Sequence, residues 1–94
     1  MRLDVAFEAF LREPGSTKFQ IEVIDLSAVG FRCKTNFVLR EGSTVWLTIP
    51  GLAAIEASVA WAGDFMYGCE FRRHLHIAVF DHIARLHPPS SERD

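Results

Sequence analysis

No apolar run in this chain approaches the roughly 20 residues that a bilayer-spanning helix needs. Asp4 and Glu8 interrupt the apolar positions near the start, so the compact apolar stretch of a signal peptide is lacking as well. Cysteine is scarce. Cys33 and Cys69 form no CxxC motif, which excludes the metal and redox sites built on that spacing. They read as a small buried thiol pair, and the cytoplasm is the expected compartment. A basic excess is missing too. Ten Lys and Arg against twelve Asp and Glu leave a net charge of −2, so bulk electrostatic binding to DNA or RNA is not expected. Lysine is the rare cation, two against eight arginines. The planar guanidinium fork suits local recognition of phosphate and the face of a base. No nucleophile-elbow pattern is present, so no catalytic residues are expected.

What is present is core-forming material: hydrophobic residues make up 49% of the 94. That suffices for one small domain over residues 1–87, followed by a solvated tail at 88–94. Leu3, Val5, Phe7, Ala9 and Leu11 share one face of a period-two pattern, with Asp4 and Glu8 on the other. After a Pro14-Gly15-Ser16 turn, Phe19, Ile21 and Val23 alternate with Gln20 and Glu22. Val29, Phe31 and Cys33 then alternate with Arg32 and Lys34. Val45, Leu47 and Ile49 define a fourth strand, Ile55, Ala57, Val59 and Trp61 a fifth, and Phe65, Tyr67, Cys69 and Phe71 a sixth. Gly63-Asp64 is the turn between the last two, and Gly68 marks a bulge or a close backbone approach. Six short strands at this spacing predict an antiparallel barrel or sandwich.

The period changes after Arg73. Leu75, Val79, Ile83 and Leu86, with Phe80 beside them, predict a helix over 75–86 whose apolar face packs on the barrel. Pro88-Pro89 stops it. His74 and His76 form HxH at its start. Without convergent ligands this reads as solvated histidine, and no metal or cofactor site is expected. Trp46 and Trp61 are candidates for stacking on a base as well as for packing.

Between the second and third strands lies Asp25-Leu26-Ser27-Ala28-Val29-Gly30, which fits DxSxxG. Asp and Ser at such a place bond turn backbone, and Gly permits a positive φ or a close approach. With this motif, the Val59-Ala60-Trp61 strand end, the Tyr67-Gly68-Cys69-Glu70-Phe71 strand and the terminal helix, the chain resembles a PilZ domain over Arg2–Leu86. The resemblance implies an all-β fold with one helix: a six-stranded antiparallel barrel and a C-terminal α-helix. It also implies a non-catalytic cyclic di-GMP receptor with a protein partner. Arg2, Asp25, Ser27 and Gly30 would be its site: Arg2 on phosphate or a guanine face, Asp25 and Ser27 on base edges, Gly30 keeping the turn accessible. The family's other signature, RxxxR, falls just before the first strand. Only Arg2 matches its second position, and the first would fall before Met1. Arg32, pointing outward between Phe31 and Cys33, reads first as a plain solvated strand charge and second as an auxiliary contact. The alternative is an interaction adaptor of the same fold that does not bind the nucleotide.

Overall fold

A computed structural model describes residues 2–88. Six strands and one helix follow in chain order: β1 Arg2–Arg12, β2 Phe19–Ser27, β3 Gly30–Lys34, β4 Thr44–Thr48, β5 Ile55–Ala62, β6 Met66–Phe71 and α1 Ile77–Leu86. The strands close into a barrel in the order β1-β2-β3-β6-β5-β4, with every pairing antiparallel and β4 returning to β1. The expected barrel with a C-terminal helix is thus the fold. No described helix is long and apolar enough to cross a membrane. Beyond Pro88, the tail expected at 88–94 lies outside the described residues.

The interior follows from alternation. Val5, Phe7, Ala9 and Leu11 of β1 face Ile21 and Val23 of β2, Phe31 and Cys33 of β3, Val45 and Leu47 of β4, Ala57 and Val59 of β5, and Tyr67, Cys69 and Phe71 of β6. Each fully buried Leu, Val or Phe contributes about 1.5–3 kcal/mol by leaving water. Cys33 and Cys69 are free thiols in this core. Hydrogen bonding to the Cys33 sulfur, then burial, pushes the Cys69 thiol far above its ordinary range, which suits packing rather than nucleophilic chemistry.

The ladders are irregular at three places. The ladders slip by one residue between Asp4 and Phe7 of β1, between Val23 and Asp25 of β2, and between Val59 and Trp61 of β5. Each slip sets two residues of one strand against one of its neighbour; in β2 and β5 the following side chains turn to the opposite face, whereas β1 keeps Val5 and Phe7 both inward. Trp61 is therefore not inside with Val59, as period two predicts, but lies outside and 40% exposed. Phe65 departs as well. It belongs to the β5–β6 turn rather than to β6, at φ 57°, and its ring is 63% exposed. Val29 likewise sits exposed in the β2–β3 turn.

The two barrel ends are closed differently. β3 and β4 are not neighbours, so residues 35–43 must cross one end, and Leu39 is buried there. The Tyr67 hydroxyl holds this crossing. It donates to the Phe37 carbonyl at 3.1 Å and accepts from the Leu39 amide at 3.1 Å. At the other end the Leu75 amide donates to the Ala28 carbonyl at 2.8 Å, and α1 brings Phe80 and Ile83 into the core. His76, no standard cap residue, caps the helix: its Nδ1 accepts from the Ala78 amide at 3.0 Å. Val79 and Leu86, expected on the packed face, stay exposed, since only Phe80 and Ile83 of the helix are buried.

Removing the Tyr67 hydroxyl strips a buried amide of its partner while leaving the ring in place. Tyr67→Phe is expected to lower stability by about 1–3 kcal/mol, the cost of an unsatisfied buried donor. Denaturant titration checks this: the midpoint should fall with the slope unchanged, because the surface exposed on unfolding stays the same.

Candidate functional site

The β2 slip decides where the DxSxxG residues point. Had Ile21 and Val23 continued inward without interruption, Asp25 would enter the core. The extra residue instead sets Asp25 opposite Arg32 and Leu26 opposite Phe31. Phe31 is core, so Arg32 and Asp25 share the outer face. Register extends this row across the sheet. Asp4 of β1 lies opposite Asp25, Arg32 opposite Gly68 of β6, and Gly68 opposite Trp61 of β5. The five residues make one outer row running across five strands.

Asp25 is outward yet has no solvent exposure, because two arginines cover it. Arg2 donates from Nη1 to Oδ1 at 2.5 Å, and Arg32 donates from Nε to Oδ2. Each carboxylate oxygen thus holds one guanidinium, one from β1 and one from β3. Both arginines stay about half exposed, so they are anchored along one edge and open along the others. A guanidinium has five N–H donors, leaving several free on each. Beside them opens a concavity of about 570 Å³ lined by Arg2, Gly30, Arg32, Trp61, Gly68 and Glu70, among others. That volume falls within the roughly 300–1,000 Å³ usual for small-molecule sites.

Ser27 and Gly30 play other parts. The Ser27 hydroxyl accepts from the Val29 and Gly30 amides, each at 3.2 Å, and donates to the Gly30 carbonyl at 3.4 Å. One donor and both acceptor positions are spent inside the two-residue turn. Gly30 is not at positive φ. A Cβ there would stand 2.2 Å from the Cys69 carbonyl oxygen, so glycine is required by the approach of β6. Gly68 is required by a side chain instead. A Cβ on it would stand 2.1 Å from the Trp61 indole nitrogen, which means the indole lies directly on the β6 backbone. The sequence readings of Gly68 are corrected: the bulge lies in the neighbouring β5, and it is an aromatic side chain rather than a backbone that approaches the glycine.

Of the sequence-predicted residues, Arg2 and Asp25 meet in one contact, Ser27 stabilises the adjacent turn and Gly30 lines the concavity. Alternation signalled the outward direction of Arg32, but its contact with Asp25 depends on register. Trp61 was a stacking candidate from sequence, but its outward direction depends on the β5 bulge. The HxH histidines form no metal cluster, and no group of three or more His, Cys, Asp or Glu suited to an ion occurs among the described residues. Compared with models of known protein families and with curated proteins, the chain matches none.

The two glycines differ in what a methyl group would meet. Gly30→Ala strikes backbone and is expected to cost about 3 kcal/mol, near the upper end for overpacking. Gly68→Ala strikes a half-exposed indole that can move, so it should fold with a smaller loss and a changed Trp61 emission. Denaturation midpoints and tryptophan fluorescence of the two variants check this. Equal losses, with emission unchanged in Gly68→Ala, would mean that Trp61 does not rest on Gly68.

Proposed function

We propose that the chain is a non-catalytic receptor module for cyclic di-GMP, of the PilZ kind that its DxSxxG motif and helix position resemble. The observation that carries this reading is the pair of guanidiniums fixed on the two oxygens of buried Asp25, beside the Trp61 ring. A cyclic dinucleotide offers two phosphates and two flat bases. Arg2 and Arg32 bind phosphate with the N–H groups that Asp25 leaves free. Trp61, resting on Gly68, offers a ring for a base to stack on. Arg32 supplies from β3 the second guanidinium that the RxxxR signature would draw from ahead of Arg2.

In this reading Asp25 acts on the ligand through the arginines, holding both forks ready and lowering the entropy lost on binding. Ser27 fixes the turn from which β3 and Arg32 start. Glu70, on the outer face of β6 two residues from Gly68, supplies the carboxylate for guanine N–H groups, since the arginines bury Asp25 completely. The binding event changes no covalent bond. Its signal is the altered charge and shape of this barrel wall.

Calorimetric titration with cyclic di-GMP tests the proposal, with GMP as the control for a lone base and phosphate. Saturable binding is expected. Arg2→Ala and Arg32→Ala should each weaken it about ten- to a hundredfold, the equivalent of one charge-assisted bond at about 1.5–3 kcal/mol. Asp25→Ala should weaken it too, with circular dichroism confirming the fold. Absence of binding by the folded chain, or binding indifferent to both arginines, would sink the receptor reading and leave the adaptor.

A further inference from the structure

A second groove, of about 850 Å³, opens near the barrel end that residues 35–43 cross. Its floor is the outer face of β1, β2 and β3, and its walls are the 35–37 segment and the β5–β6 turn. The floor carries another cross-strand row: Glu8 of β1 lies opposite Glu22 of β2, and Glu22 opposite Lys34 of β3. Two carboxylates directly opposite each other on neighbouring strands repel, which is a destabilising arrangement. Among the described residues no ion pair engages Glu8, Glu22 or Asp64. The groove therefore sets three carboxylates, Glu8, Glu22 and Asp64, against the one ammonium of Lys34.

The walls carry two exposed aromatic side chains and are held in place. Phe37 is 56% exposed and Phe65 is 63% exposed. The Phe37 ring stacks on Phe19 at 4.3 Å between centroids, its carbonyl accepts from Tyr67, and its amide donates to the Thr35 hydroxyl at 3.2 Å. The Phe65 carbonyl accepts from the Thr35 amide at 3.1 Å, tying the two walls together. Phe65 adopts φ 57°, a left-handed conformation that a bulky side chain rarely takes. Two large rings are thus presented to water on anchored backbone, above an acidic floor.

We propose that this groove binds a segment of another protein that carries at least two Lys or Arg residues around an apolar or aromatic anchor. The anchor seats between Phe37 and Phe65, and the cations answer Glu8, Glu22 and Asp64. Charge complementarity selects this occupant: an acidic or neutral segment would leave the Glu8–Glu22 repulsion in place. The segment is recognised through side chains, not by strand addition, because every strand of the closed barrel already has two neighbours. The proposal does not depend on nucleotide binding, since none of these residues lines the Arg2–Trp61 concavity.

Selection of random displayed peptides on the immobilised chain tests it. Basic peptides with an apolar or aromatic residue should be enriched. The most enriched one, made synthetically, should bind about tenfold or more weakly to Glu8→Gln/Glu22→Gln and to Phe65→Ala, and more weakly as salt is raised. The glutamine pair keeps the side-chain shape and relieves a repulsion, so folding is preserved, and cyclic di-GMP titration of the same variants should be unchanged. Three results would overturn the proposal: no enrichment, enrichment of acidic or uncharged peptides, or affinity equal in wild type and variants. Concentration-dependent sedimentation of the chain alone, lost in Glu8→Gln/Glu22→Gln, would also overturn it, because the occupant would then be a second copy.

Discussion

Bending six short strands into a closed ring is the constraint on which the rest of this molecule depends. A small barrel needs tilted, sharply coiled strands, and extra residues in the ladder supply local bending and twist. The three slips, in β1, β2 and β5, have a chemical result beyond curvature. The slip in β2 turns a carboxylate that would have entered the core onto the outer wall. The slip in β5 does the same for an indole. The mechanical demand of closure and the placement of Asp25 and Trp61 have one structural origin.

Once outside, Asp25 is shielded by arginines from the strands on either side, joining β1 to β3 across β2. This clamp is made by residues 2, 25 and 32, and its geometry follows from register rather than from proximity in sequence. The acidic groove is organised by the same registers. Arg32 and Lys34 lie two residues apart on the outer face of β3, about 7 Å along the strand, so β3 contributes one cation to each depression. One short strand therefore borders two surfaces of different chemistry.

Much of the barrel is legible in the residues. Val5, Phe7, Ala9 and Leu11, or Val45 and Leu47, each bury one face of a strand, and period two is the direct record of that. The change to helical spacing at Leu75 marks α1 for the same reason. Bulges leave no such record, because one extra residue looks like ordinary alternation until its partner strand is known. The directions of Trp61 and Asp25 escaped for that reason, and Phe65 because the β5–β6 turn extends one residue past Gly63-Asp64. The burial of Val79 and Leu86 was misjudged for another: periodicity shows which helix residues are apolar, not how wide a surface exists to receive them. In the site, Asp25, Ser27 and Gly30 were visible as a motif. That the hydroxyl serves the turn and that Gly30 yields to the β6 backbone are facts of packing, which no local pattern encodes.

The ring is not equally strong around its circumference. β1 and β2 pair along most of their length, whereas β1 and β4 meet only at Phe10–Thr48, Leu11–Leu47 and Arg12–Trp46, between segments far apart in sequence. Loop-closure entropy opposes such a long-range seam more than it opposes a hairpin. Partial opening is therefore cheapest there, and early exchange of the β4 amides is where it would register. A ring that parts at this seam becomes an open sheet, with two unpaired edges and with Leu11 and Leu47 uncovered. The closed ring keeps these two edges concealed rather than absent, and its resistance to aggregation draws on three residue pairs.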